Sequence, residues 1–328
     1  MSSPLVSFVM PCYGYGRYLR NCLDSILSLD GGYDIEIIAI HDASPDDTLA
    51  ILKSYSDPRL KLIDHEVNQG HVISVNEGLQ ASRGKYVVRI DPDDRYTPVF
   101  LARTLPILER HPEVGLVYGD VSIINAEGVV TQERCDQTHA GMDFKGNELV
   151  ALLKKNFICA PTVVARREAW MSAWPIPSGL AFNDWYFNLM LARRWEFYYV
   201  HEVLAQYRVH GLNHHTAIGK DGSEERSVLW LLDKIYGETE PLPELDLAKQ
   251  RARGEVYAAQ YLDFGLKYFG HEMHRDARRC LSTAVRYQPA LLLDPRVSRL
   301  LLATYLPRPW YERIKKAMKK RMPARGSS

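Results

Sequence analysis

The sequence predicts an α/β protein with a mostly parallel sheet in three layers, followed by a helical C-terminal region. Over the first hundred residues, short Val/Ile-rich runs alternate with segments of helical period. That is the βαβαβαβ order of a parallel sheet with right-handed crossovers. Several of the apolar runs end abruptly in polar clusters, as strands do where an open parallel sheet forms its ligand crevice. From residue 225 onward the pattern is helical almost throughout.

Residues 5–10 read as the first strand, stopped by Pro11. Leu19, Cys22, Leu23, Ile26 and Leu27 then recur at helical spacing. Residues 35–40 form a second buried strand ending at His41-Asp42, 47–55 a short helix, 60–64 a third strand and 72–81 a further helix. The fourth strand, Val87-Val88-Arg89-Ile90, delivers Asp91-Pro92-Asp93-Asp94. Residues 101–110 add a helix, and 114–118 and 122–125 two more strands before a turn at Glu127-Gly128. From 144 to 209 the pattern is mixed, with a proline-bounded turn at Trp174-Pro175-Ile176-Pro177 and an aromatic helix over 184–194. Residues 220–224 are a polar break.

Beyond it, Tyr261, Phe264, Gly265, Tyr268, Ala277, Leu281, Ala284 and Pro289 fall at the intervals of a tetratricopeptide-like helix pair over about 255–290. Gly265 and Ala277 let the two helices approach closely, and Pro289 closes the second. One such pair cannot bury its own faces, so flanking helices over 225–250 and 295–305 are expected. The tail over 309–328 sets Lys315, Lys316, Lys319, Lys320 and Arg321 against Trp310, Ile314, Ala317 and Met318. This suits either a solvated helix end or contact with a membrane surface.

Composition bounds the function. The 328 residues are 46% hydrophobic and 25% charged, with a formal net charge of +1. This is ordinary for a soluble globular protein and argues against broad electrostatic binding to nucleic acid. The five cysteines, Cys12, Cys22, Cys135, Cys159 and Cys280, include no CxxC pair. Reduced thiols in a cytoplasmic compartment are expected, not a disulfide frame or a zinc site. The opening residues show no basic-then-apolar leader, and no apolar run approaches the ~18–20 residues that span a bilayer. The expected location is cytoplasmic, peripheral at the inner membrane surface if the basic tail touches lipid.

Asp91, Asp93 and Asp94 repel one another unless a cation sits among them. Hard oxygen ligands of this kind suit Mg²⁺ or Mn²⁺ holding a phosphate-bearing substrate, although Asp-Pro and Asp-Asp pairs also make solvated turns. Other strand ends are polar as well: Pro11-Cys12-Tyr13 after the first, and Asp42-Ala43-Ser44-Pro45-Asp46-Asp47-Thr48 after the second. A bound nucleoside needs a flat partner for its base and a carboxylate for N–H and O–H groups. Tyr13 and Asp42 are of those types, while Asp91 and Asp93 would reach a diphosphate through the divalent ion. Asp42 taken singly reads as a helix cap. The concurrence of strand ends favours one shared crevice.

In this order the pieces resemble the inverting glycosyltransferases of family 2, which have the GT-A nucleotide-diphospho-sugar transferase fold. The matching stretches over 4–215 are Val9-Met10-Pro11-Cys12-Tyr13, the Asp42-x-Ser44-x-Asp46-x-Thr48 loop, and Asn68-Gln69-Gly70 with Asn76-x-Gly78. They continue with Ala81-Ser82-Arg83-Gly84-Lys85-Tyr86 leading into Asp91-x-Asp93-Asp94, then Asn183-Asp184-Trp185, and Tyr207-Arg208-Val209-His210. The resemblance implies a GT-A three-layer αβα sandwich with a mostly parallel sheet over 1–219, then the helical region over 220–328. Within 1–219, a nucleotide-sugar half would run to about 125 and an acceptor half over 126–219.

The resemblance further implies a metal-dependent enzyme moving a sugar from a nucleoside-diphosphate donor, UDP or dTDP favoured, to a hydroxyl of a glycan or lipid-linked saccharide. Surface glycan or glycoconjugate biosynthesis is the implied setting. By the same resemblance Asp42 would contact the base, with Pro11, Tyr13, Asn68 and Arg83 completing the nucleotide site. Asp91 and Asp93 would form the DxD motif for ribose and Mn²⁺ or Mg²⁺, with His210 a further metal ligand. Asp184 would be the catalytic base, supported by Asn183 and Trp185, with Asp94 and Arg208 supporting the metal side. Displacement at an anomeric carbon needs a base for the acceptor hydroxyl and a cation for the departing diphosphate.

Three positions depart from the family pattern. Gly14 stands where Asn usually follows Tyr13, His41 precedes Asp42 where an acid is common, and Asn183 replaces the usual Glu before the base. His214 and His215 follow His210, but no Cys or carboxylate lies at a spacing that completes a zinc site. A Rossmann reading of Gly14-x-Gly16 fails because Leu19 occupies the place of the third glycine. A sugar-nucleotide pyrophosphorylase would need a Gly-rich basic loop where Arg17 alone is found. The alternative is a sugar-nucleotide-binding adaptor with a degenerate catalytic domain. The helical region would then dock partners; in either reading it offers a surface for a homodimer.

Overall fold

The computed structural model describes residues 5–135, 138–210 and 221–305. The His214-His215 pair and the basic tail over 309–328 lie outside them.

Strands β1 (Val6–Cys12), β2 (Ile35–Asp42), β3 (Leu60–His65) and β4 (Tyr86–Arg89) run parallel, connected through helices α1 (Gly16–Leu27), α2 (Thr48–Ser54) and α3 (His71–Ala81). The chain continues through β5 (Arg95–Tyr96), α4 (Phe100–Arg110), β6 (Val114–Ile124), β7 (Val130–Cys135) and β8 (Phe144–Gly146). It then forms α5 (Leu149–Lys154), β9 (Val164–Arg166), α6 (Arg167–Ala173), α7 (Asn183–Ala192) and β10 (Glu196–Arg208). The sheet order is β3-β2-β1-β4-β9-β6-β10-β5, with β7 on β6 and β8 on β10. β9 is a short antiparallel wedge between β4 and β6, and β6 pairs parallel with the long β10. The mostly parallel three-layer sheet is therefore as expected.

Alternation along the strands feeds two cores. Val6, Phe8 and Met10 of β1 and Ile35, Ile37 and Ala39 of β2 share one core with α1, α2 and α4. Val9, Ile38 and Ile40 face the other layer, with α3, α5, α6 and α7. Both faces of the central strands are thus apolar, as a covered parallel sheet requires.

Several expectations are corrected. Pro11 does not stop β1: it stands opposite Ile40, and pairing with β4 already ends at Val9–Arg89, so its missing N–H breaks no bond there. The two strands expected over 114–125 are one, because Gly119 and Asp120 stay paired with β10. β10 is not apparent in the sequence. Glu196, His201, Glu202 and Gln206 interrupt its apolar run, and register shifts between Val200 and Ala205 break the alternation.

After residue 220 the structure contains α8 (Ser223–Tyr236), α9 (Pro243–Gly270), α10 (His274–Tyr287) and α11 (Pro295–Ala303). The single flanking helix expected over 225–250 is two, with Gly237 at the end of α8 and Pro243 opening α9. α9 and α10 form the expected hairpin, with Ala277, Leu281 and Ala284 fully buried. A Cβ on Gly265 would lie 2.7 Å from Leu281 Cγ, so the spacing of the two helices depends on glycine. Lys249 is completely buried, donating to the carbonyls of Ile235 and Glu238 and to the Glu240 carboxylate. Arg193, just beyond α7, reaches Glu238 and Glu240, joining this network to the sheet-bearing part. Cys12, Cys22 and Cys280 are buried free thiols. Among the described residues no helix is long and apolar enough to cross a membrane.

Gly265→Val is expected to overpack the α9–α10 contact and lower stability by about 1–3 kcal/mol, the usual cost of inserting methyls into a filled core. Urea unfolding checks this, with an unchanged midpoint arguing against the close approach.

Candidate active site

The carboxyl ends of β1, β2 and β4 open onto a cavity of about 720 Å³. Pro11, Tyr13, Asp42, Asn68, Arg89 and Asp91 line it from this part of the sheet. Tyr118, Asp120, Asn156, Asn183 and Asp184 line it from the rest. Tyr13 is 48% exposed at the end of β1, a free flat face.

Asp42 is buried at the end of β2, and its carboxylate accepts hydrogen bonds from the N–H of Gln69 (2.7 Å) and Gly70 (2.8 Å). His65 Nδ1 lies 2.8 Å from Asp42 Oδ1, and its Nε2 2.6 Å from Glu77 Oε2. Asn68 donates to the Asp42 carbonyl. Burial alone would raise the Asp42 carboxyl, but the bonds from Gln69, His65 and Gly70 prevail and hold it below its usual value. Burial alone would lower His65, yet the bonds and charges of Asp42 and Glu77 prevail and raise it. Only the doubly protonated ring can donate to both carboxylates.

The rest of the second-strand motif is scaffolding. Asp46 accepts from Ser44 Oγ (2.6 Å), Thr48 Oγ1 (2.5 Å) and the N–H groups of Thr48 and Gly16, while Ser44 Oγ accepts from the Gly14 N–H. The loop carrying Tyr13 is therefore tied down through backbone amides.

Arg89, the last residue of β4, donates one Nη to Asp91 and the other to Asn183 Oδ1 at 3.2 Å. Asp93 and His210 are buried against each other, Oδ2 to Nε2 3.0 Å. Burial and the charge of Asp91 raise the Asp93 carboxyl against the opposing pull of His210. Asp94 is pushed well up by burial and by Asp93. It accepts the Arg208 N–H, and the Arg208 guanidinium donates to the carbonyls of Asp93 and Asn125. Asp94 and Arg208 thus lock the end of β10 to the acidic turn.

Asp184 opens α7 and accepts from Asn156 Nδ2 at 3.1 Å. Trp185 is buried and donates its indole N–H to the Leu152 carbonyl at 2.8 Å. Arg83 is a correction. It does not line the cavity; its backbone N–H and guanidinium bind Glu36 near the start of β2. Six residues of strand at ~3.3 Å each put Glu36 roughly 20 Å from Asp42. The neighbouring Gly84 is required there, since a Cβ would lie 2.6 Å from the Ser7 N.

Arg89, Asn156, Tyr118 and Asp120 line the cavity without having been singled out in the sequence. Arg89 had a visible signal, a charge inside an otherwise apolar strand. Asn156 had none, because its role depends on contacts distant in sequence.

Among the described residues no three His, Cys, Asp or Glu side chains gather into a metal cage of their own. A nucleotide-bound Mg²⁺ or Mn²⁺ usually takes one or two protein ligands together with phosphate oxygens and water. Asp93 and His210, beside Asp91, fit that smaller donor set.

A family model described as Glycosyl transferase family 2 matches residues 7–172. An uncharacterised protein of Mycobacterium tuberculosis is 31% identical over 296 residues, covering 88% of this chain and 82% of its own. The structure of S. aureus TarS residues 1–349 with UDP-GlcNAc superposes with a TM-score of 0.65 at 15% identity, over 98% of this chain and 93% of that one. The mannosyltransferase PcManGT of Pyrobaculum calidifontis, with GDP-Man and Mn²⁺, gives a TM-score of 0.60 at 16% identity, over 93% and 85%. The fold is the one shared by these two transferase structures, and the chain belongs to glycosyl transferase family 2. It is a transferase enzyme that moves a glycosyl group.

The His65 bridge should be visible in stability against pH. Its raised pKa means that its contribution is complete below the ordinary value of 6.5 and is lost as pH rises through the folded value. Asp42, lowered from 3.8, loses its part only as pH falls through the depressed value. His65→Gln is expected to cost on the order of 2 kcal/mol near pH 6, the scale of hydrogen bonds to charged groups. Thermal melts of both proteins should show that gap narrowing above pH 7; a constant gap would count against the bridge.

Proposed function

We propose that the cavity carries out inverting transfer from a nucleoside-diphosphate sugar, UDP- or dTDP-linked, to a hydroxyl of a glycan or lipid-linked saccharide. The observation carrying this reading is the Arg89 bridge, which joins Asp91 to the residue preceding Asp184 across one cavity. Asp91, suited to a metal-bound diphosphate, and Asp184, suited to proton abstraction, thereby share a substrate-sized space. UDP-GlcNAc in TarS supports a uridine donor, and Mn²⁺ in the mannosyltransferase supports the metal.

In this reading Tyr13 stacks on the base, and Pro11, Asn68 and the Asp42 loop frame the nucleoside. Asp184 takes the proton from the acceptor hydroxyl as its oxygen bonds to the anomeric carbon. The bond from that carbon to the diphosphate oxygen breaks on the opposite face, which inverts the centre. Asp93, His210 and Asp91 would hold a divalent cation, which would supply charge neutralisation for the leaving diphosphate. Residues 1–219 form the catalytic unit. The basic tail over 309–328 suits peripheral contact with the membrane on which such acceptors are assembled.

Asp184→Asn should leave nucleotide affinity nearly intact while lowering turnover by at least ~10²-fold, the scale of general-base catalysis. Near-normal turnover would remove Asp184 from the mechanism. Calorimetric titration with UDP, dTDP, GDP and CDP should show Mn²⁺-dependent binding of a uridine or thymidine nucleotide. Asp93→Ala should abolish that metal response, whereas silence from all four nucleotides in the wild-type protein would point to a degenerate site or to one completed only by the acceptor.

A further inference from the structure

Asp184 sits on a chain of contacts leading out of the sheet-bearing part and into helix α9. Its Oδ2 accepts from Asn156 Nδ2 at 3.1 Å. Asn156 lies two residues beyond the end of α5 and lines the cavity. The last carbonyls of a helix have no partner within it and must be satisfied from elsewhere. Here Trp185, next to Asp184, donates to the Leu152 carbonyl at 2.8 Å. Gln260 of α9, only 6% exposed, donates its side-chain amide to the carbonyls of Leu153 (2.8 Å) and Lys154 (3.0 Å). One helix end is thus capped from two directions, by the helix bearing Asp184 and by the helical region. Ser227 of α8 adds a second hold, accepting the N–H of Ala181 (3.1 Å) in the cavity-lining segment before α7.

We propose that Asn156 and Gln260 are positioning residues for the transfer reaction. Gln260 fixes the end of α5, this fixes Asn156, and Asn156 holds one oxygen of Asp184 so that the other faces the acceptor hydroxyl. The helical region is then a working part of the active site and not an appendage. The inference rests on Asp184 being the base.

The test uses the full chain with Asn156→Ala, Gln260→Met and Asp184→Asn. Gln260→Met keeps the length of the side chain and removes its donors, and Asn156→Ala covers the case in which Gln260→Met does not fold. The first readout needs no substrate: the side-chain amide resonance of Asn156 in ¹⁵N-labelled protein, assigned by its loss in Asn156→Ala. It is expected to shift in Asp184→Asn and to move in the same direction in Gln260→Met. The second readout is nucleoside diphosphate release from UDP-GlcNAc and GDP-mannose with Mn²⁺. Asn156→Ala and Gln260→Met should lower kcat by about 10-fold or more, with KM for the donor within about 2-fold of wild type, as misplacement of a reacting group does. Should neither donor turn over, the resonance decides. An Asn156 resonance unmoved by Gln260→Met, or full kcat in both positioning variants while Asp184→Asn is inactive, overturns this inference alone. Full turnover in Asp184→Asn overturns the base assignment beneath it.

Discussion

A guanidinium is expensive to remove from water, and Arg89 is almost wholly buried in the middle of the sheet. Burial alone would lower its pKa; the charges of Asp91, Asp184 and Asp94 and its bond to Asp91 outweigh that and raise it. The acidic groups have the converse problem, since Asp93 and Asp94 are raised by burial and by one another's neighbours. Asp91 answers Arg89 directly, while Asp93 has His210 beside it and Asp94 accepts the Arg208 N–H. The Arg89 guanidinium also bonds Asn183, and so ties the acidic turn after β4 to the start of α7 across the cavity.

That balance clarifies what the sequence could disclose. Apolar runs ending in carboxylates are legible because a parallel sheet puts the carboxyl ends of its strands along one edge, and Asp42, Asp91 and Asp184 do meet at one cavity. The direction in which a motif residue spends its hydrogen bonds is not legible. Asp46, Asp94 and Arg208 stand in the same short motifs as the cavity residues, yet they bind backbone groups and hold loops in place. Arg83 belongs to a motif that secures the opposite end of the sheet. Arg89 was visible as a charge in an apolar run, but nothing in that run announces its bond to Asn183, 94 residues on.

The helical region shows the same division. Gly265 announced a close helix contact, and the structure has one against Leu281. The attachment of that hairpin to the rest of the chain runs through Gln260 and the buried Lys249–Glu240 pair, with Arg193 reaching Glu240 from beyond α7. These contacts join positions tens of residues apart, on helices whose polar residues look like ordinary surface. Propensity and periodicity are local signals and carry no trace of them.

The loop carrying Tyr13 is anchored by Ser44 and Asp46 through the amides of Gly14 and Gly16, with no side chain of the loop taking part in those bonds. The anchored positions themselves call for glycine, Gly14 for its φ of +76° and Gly16 because a Cβ would meet Asp47 Oδ1 at 2.0 Å, but the Tyr13 side chain takes no part in the anchor. Mutation can therefore rewrite the face offered to a nucleobase without loosening the platform beneath it. Lineages descended from one ancestor could exchange one activated sugar's nucleotide for another in small, individually harmless steps, while the machinery around Asp184 stayed as it was.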